Sequence, residues 1–198
     1  MRNDSQSGPS SRHTVVLSTV EDMYWKMVWD IEQFDRIQRS MPDLDEPLAF
    51  AAINVCIAAT SLRDWTVASF MAKRRLQKKP VTKGKVLEHI YRHVPQQGMC
   101  EAIANTAKHS RLQEANWRGG HVRIDVDEST EDDPGGRVLR HIHEDGAYTS
   151  LGLNAFMAME QCWWGELQNL GFAFPRIGPE WWQRNVRSKF GLSSNGEI

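Results

Sequence analysis

The sequence predicts a mainly α fold, a helical bundle of four to five helices with an inserted β-hairpin. Three observations predict it. Apolar residues recur at spacings of three and four through most of the chain, the repeat of a single buried helix face. Val122, Ile124 and Val126 instead alternate with Arg123 and Asp125, which is the repeat of a strand. Pro42, Pro80, Pro95, Pro175 and Pro179 fall between the periodic stretches and punctuate them. With 198 residues, 40% hydrophobic and 25% charged, the chain can build one domain with its own core. The same composition excludes a mainly disordered chain, a collagen and a disulfide scaffold. The expected organisation is a disordered tail over 1–13, a single helical domain over 14–174 and a C-terminal Trp-containing extension over 175–198, with the hairpin at about 121–149.

The first helix opens at Ser18-Thr19-Val20-Glu21, a capping-box pattern in which a hydroxyl satisfies a free backbone N–H and Glu21 reaches back. Val20, Met23, Tyr24, Met27, Ile31 and Phe34 form its inward face. Trp25 and Trp29 stand one turn apart on a neighbouring face, so this helix is apolar on two sides, and Met41-Pro42-Asp43 ends it. Pro47 suits the first position of a second helix, with Asp45 and Glu46 favourable beside its N-terminal dipole. From Leu48 to Leu62 the chain is Ala-rich and nearly all apolar, the mark of a central buried helix. It continues through Trp65, Phe70 and Met71 to about Leu76 while its surface turns basic. Thr82 caps a third helix with Val86, Leu87, Ile90 and Tyr91 inward, and a fourth runs from about Met99 to Leu112. Val122, Ile124 and Val126 belong to one strand and Val138 to Tyr148 to the second, joined by an acidic turn over Glu128 to Gly136. Leu153 to Leu170 returns to helical period with Phe156, Met159, Trp163 and Leu167 on one face. Trp181, Trp182, Val186 and Phe190 form a short terminal helix.

No apolar run reaches the roughly 20 residues of a membrane span, because Arg63 and Asp64 end the longest one. The N-terminus lacks the apolar core of a signal peptide, so a cytoplasmic location and no membrane partner are expected. Cys56, Cys100 and Cys162 are an odd, widely spaced set and read as reduced thiols, mostly in the core. The net charge of -1 hides strong segregation: residues 63–123 carry thirteen Lys and Arg against four Asp and Glu, a block of +9 between acidic flanks. Such a pattern means a charged partner or pairing between blocks.

The chemistry best represented is on the fourth helix. Asn105 and His109 are four apart and project from one face, with Lys108 beside them. An amide, a group that exchanges a proton near neutral pH and a positive charge are parts for phosphodiester cleavage. The same pair also serves to fix helix packing, and Asp64 either orients His109 or marks where the buried helix meets water. His89 with His93, and His141 with His143, have spacings open to metal ligation. Neither pair carries a His-Glu-x-x-His pattern or cysteine ligands, so solvated histidines and no metal or other cofactor are expected. The basic run Lys73, Arg74, Arg75, Lys78, Lys79, Lys83, Lys85 and Arg92 surrounds a helix break and reads as a surface for nucleic acid, for a protein or for solvent. In the adjacent pairs Trp163-Trp164 and Trp181-Trp182 one ring can enter the core while the other stays near the surface, where Trp anchors partners.

The segment Ala104-Asn105-Thr106-Ala107-Lys108-His109 resembles a degenerate form of the motif of HEPN-domain proteins, helical bundles that often act as metal-independent ribonucleases. Asn105 matches the motif's polar position and His109 its His, while Ala104 stands where the family has Arg. Across about 47–170, the Ala-rich helix ending in Asp64-Trp65, the Asn105-x-x-Lys108-His109 motif and Trp163-Trp164 are similar to a group of small uncharacterised bacterial proteins. The HEPN resemblance implies an RNase-like site at Asn105, Lys108 and His109, and a homodimer that pairs two such sites. The residues themselves favour a non-catalytic interaction protein of a bacterium or phage. On that reading it binds a protein or nucleic acid through the basic segment 63–123 and exposed Trp residues.

Overall fold

Thr19 begins the first helix by accepting a hydrogen bond from the Asp22 amide at 3.1 Å, and the Asp22 carboxylate accepts one from the Thr19 amide at 2.8 Å. The box therefore pairs Thr19 with Asp22, one residue later than the expected Ser18 and Glu21. Burial raises the Asp22 pKa and is the largest single influence on it, but hydrogen bonds from the Ser18 and Thr19 amides and hydroxyls together outweigh it and hold the group below the usual carboxylate value. The computed structural model describes residues 17–41, 44–108, 121–127, 136–172 and 178–189. The expected tail over 1–13 and the acidic turn over 128–135 lie outside the described residues.

The elements are α1 (Val20–Ser40), α2 (Asp45–Leu76), α3 (Lys83–His93), α4 (Gln97–Lys108), β1 (His121–Asp127), β2 (Gly136–Ile142), β3 (Tyr148–Leu151), α5 (Leu153–Asn169) and α6 (Glu180–Lys189). The mainly α class holds, with six helices among the described residues where four to five were expected. At 32 residues α2 is about 48 Å long. It starts two residues before Pro47, which occupies a later place in the first turn, where its missing N–H costs nothing. Ala51, Ala52, Ala58 and Ala59 are buried along it, and these small side chains let its neighbours approach closely. It packs against α1, α3, α4 and β2, while α5 packs against α1, α3 and β3.

The expected hairpin is a three-stranded antiparallel meander, β1-β2-β3. Its second turn falls at His143–Ala147, inside the stretch read as one strand. There Gly146 takes a positive φ of 82°, the Asp145 side chain accepts from the Ala147 amide, and His143 and Ala147 pair through their backbones. The Asp145-Gly146 step supplies this turn chemistry, which a single strand over Val138 to Tyr148 passes over.

Trp163, Tyr24, Phe34, Phe156, Met27 and Met159 fill the core between α1, α2 and α5. The indole of Trp163 donates to Gln97 Oε1 at 3.1 Å, so its one polar atom is satisfied inside. Cys56 and Cys100 are buried free thiols, and burial, then Cys100, pushes the Cys56 pKa up, which keeps that thiol unreactive.

The second apolar face of α1 is covered by the C-terminal extension. Trp181 packs edge-on against Trp25 and Trp29, with centroids 6.3 and 5.0 Å away, and Trp182 lies 5.7 Å from Trp25. Gly178 permits this seat, since a Cβ there would come within 2.6 Å of the Trp25 ring. The two Trp pairs are thus largely packing residues: Trp163 is fully buried, and Trp164, Trp181 and Trp182 are half-buried.

α2 ends in a Schellman motif, with Lys79 N bonded to Arg74 O and Lys78 N to Arg75 O, both at 3.0 Å. Lys78 sits at the left-handed position, φ 55°, that glycine fills most easily. Lys78→Gly is expected to stabilise the fold by about 1 kcal/mol, by removing the left-handed penalty at Cβ. A urea midpoint at or below the unsubstituted protein's would contradict this.

Candidate functional site

Two clusters of polar side chains flank the core. The first lies where α3 and α5 meet. His89 and His93 share one face of α3, their rings 4.2 Å apart. Opposite them α5 presents Glu166, whose side chain is completely buried. Its Oε1 lies 3.2 Å from His89 Nε2 and its Oε2 3.6 Å from His93 Nδ1. The two imidazoles remain about two-fifths exposed, so the group forms a shallow surface site with a buried carboxylate as its floor. Neither Glu166 oxygen has a geometrically complete hydrogen bond among the described residues, its polar neighbours being the two imidazoles and the Asn169 side-chain amide. Burial raises the Glu166 pKa, and the two imidazoles and then the Asn169 amide pull it back in part.

The second cluster joins α2, α3 and α4. Arg63 is buried, donates to Asp64 Oδ1 at 2.8 Å and to the Tyr91 hydroxyl at 3.0 Å, and forms an ion pair with Glu101. Tyr91 in turn donates to Glu101. Burial first, then the Glu101 contact, pushes the Tyr91 pKa up to about 12, so its hydroxyl keeps its proton at neutral pH. Arg63 loses solvation on burial, yet its bonds to Glu101 and Asp64 more than compensate and raise its pKa further.

The sequence-derived residues distribute unevenly over these clusters. Asp64 is exposed and bound to its neighbour Arg63, in keeping with a place where the buried helix meets water, while any contact with His109 lies outside the described residues. Asn105 is half-buried on α4, one turn beyond Glu101, and Ala104 is fully buried. His109 and the side chain of Lys108 lie outside the described residues. In the basic run, Lys73 donates to the Gly171 carbonyl at 2.8 Å, Arg74 is half-buried over the Phe70 ring, and Arg92 pairs with Glu88. Arg75, Lys78, Lys79, Lys83 and Lys85 are exposed and belong to no ion pair among the described residues. They crowd the α2–α3 corner.

No family model, curated protein or solved structure matches the chain.

His89 and His93, expected to be solvated, face a buried acid instead, and Glu166 is the residue that sequence reasoning missed. Its signal is a charge set among Phe156, Met159, Trp163, Leu167 and Leu170 on the inward face of α5, where Glu160 is the other acid and accepts a hydrogen bond from Tyr24. His141 is buried in β2, and His143 bonds to Thr149 within the sheet. Among the described residues, the one group of three or more potential metal-ligating side chains is His89, His93 and Glu166. No helix there is long and apolar enough to cross a membrane.

Proposed function

We propose that the chain is a non-catalytic interaction protein that binds a polyanionic partner through the α2–α3 corner. The observation that supports this reading is the group Arg75, Lys78, Lys79, Lys83 and Lys85, exposed within eleven residues of chain with no neutralising acid among the described residues. Five like charges so close repel one another, and Lys78 adds the cost of a left-handed backbone. A surface that persists at such cost favours a use for the charge, and phosphates or clustered carboxylates would supply the missing counter-charge. The exposed-Trp part of the reading rests on Trp29, which with Phe50 lines a groove of about 410 Å³ between α1 and α2. That groove lies roughly 38 Å along α2 from Arg75, too far for the two to serve one small partner.

A HEPN-like metal-independent ribonuclease is the alternative, with Asn105, Lys108 and His109 as its site. Ala104 weighs against it, because the motif's arginine position faces the core and offers a scissile phosphate nothing to bind.

The test is binding of fluorescent single-stranded RNA and of a poly-glutamate peptide across a salt series. The variant Lys78→Glu/Lys79→Glu/Lys83→Glu should weaken the bound polyanion by at least a hundredfold, and reduce the slope of log affinity on log salt by about 2 to 3. Unchanged affinity in the triple variant would remove the proposal's support. Cleavage of the RNA, abolished by His109→Ala, would favour the ribonuclease instead.

A further inference from the structure

The geometry points to a divalent transition-metal site formed by His89, His93 and Glu166, for which Zn²⁺ is the fitting ion. The donor set comes first. Two imidazoles and one carboxylate are a combination that Zn²⁺ accepts at catalytic sites, where water or a substrate completes the coordination. Each of the three residues offers a ligand atom, and all of these atoms lie within 4.8 Å of one another. Ligands about 2.0–2.2 Å from a tetrahedral Zn²⁺ stand roughly 3.3–3.6 Å apart, and the His89 Nε2 to Glu166 Oε1 separation is 3.2 Å. His93 Nδ1 lies 3.6 Å from Glu166 Oε2 and 2.9 Å from the His89 carbonyl, so the ring nitrogen that faces the acid is Nδ1, and a metal bound there would replace its contact with that carbonyl.

The surroundings point the same way. The Glu166 carboxylate is fully buried without a geometrically complete hydrogen bond among the described residues; the Asn169 amide and the imidazoles, when protonated, meet its charge in part, and a cation bound between the three residues would meet it more fully. His93 lies in the last turn of α3 and Glu166 in the last turn of α5, so two helix C-termini, each with partial negative charge, converge on the place. The exposed edges of both rings leave a path for an ion to enter and an open coordination position facing solvent. None of this depends on the basic corner.

Titration calorimetry of the full chain with Zn²⁺ tests the inference. One ion per chain is expected, with affinity reduced at least tenfold in each of His89→Ala, His93→Ala and Glu166→Gln. His143→Ala, on the sheet, and the triple lysine variant should bind as the unsubstituted protein does. The two α3 histidines are partly exposed, so their variants keep the fold, and circular dichroism checks this for all of them. Failure of the unsubstituted chain to bind Zn²⁺, or equal affinity in Glu166→Gln, would overturn the assignment. So would loss of binding in His143→Ala alone.

Discussion

Trp163→Ala is expected to cost about 3–5 kcal/mol of folding stability, the range for truncating a buried Trp to Ala. The ring is fully buried at the centre of α5, so the cavity left behind cannot be filled by solvent. Loss of the indole N–H also strands the buried Gln97 Oε1, adding about 1 kcal/mol. Against a total of roughly 5–15 kcal/mol, a loss of this size removes from about a third to all of the margin. At about 2–4 °C per kcal/mol for a chain of this size, its Tm should fall by roughly 8–24 °C. Trp163→Phe keeps most of the volume and should lose much less. Equal losses in the two variants would show that the hydrogen bond, and not the packing, carries the effect.

Arg63→Leu comes next in size. Removing one partner of a buried ion pair costs about 3–5 kcal/mol because the other charge is left without compensation. Glu101 keeps a fifth of its side chain in solvent, which lowers the expectation to about 2–3 kcal/mol. The double variant Arg63→Leu/Glu101→Leu should recover much of that loss, since no charge is then stranded. A urea-denaturation cycle on these variants should give a coupling of at least 1 kcal/mol between the two sites. Additive losses would mean that Arg63 acts through its aliphatic stem and not through its charge.

Much of the helical scaffold was legible because it follows local rules. The face Phe156, Met159, Trp163 and Leu167 is buried as its spacing requires, and Thr82 caps α3 as its position before the periodic run implies. The second face of α1, marked by Trp25 and Trp29, also finds a partner layer. The misses have equally local causes. Ser18 and Thr19 are both competent caps and Asp22 competes with Glu21, so sequence alone left the register of the box one residue open. The single strand read over Val138 to Tyr148 ran through the turn signal Asp145-Gly146 and so merged two strands into one.

The candidate site was less legible because it is made by tertiary contact. His89 and His93 could be paired by helical spacing, but Glu166 lies more than seventy residues further along and reaches them only once α3 and α5 pack. Arg63 likewise looked like the point where a buried helix surfaces. Its partners Tyr91 and Glu101 sit on two other helices, and nothing in the spacing of any one helix announces them.

The aromatic seat of α6 on α1 also sets a timetable. Trp181 follows Trp25 by 156 positions, so at about 5–20 residues per second of synthesis the indoles of α1 wait roughly 8–31 s for their cover. Until then a nascent chain that has already begun to collapse presents the whole Trp25 ring to whatever is near; α6 ends that exposure, while Trp29 stays about two-fifths exposed in the finished fold.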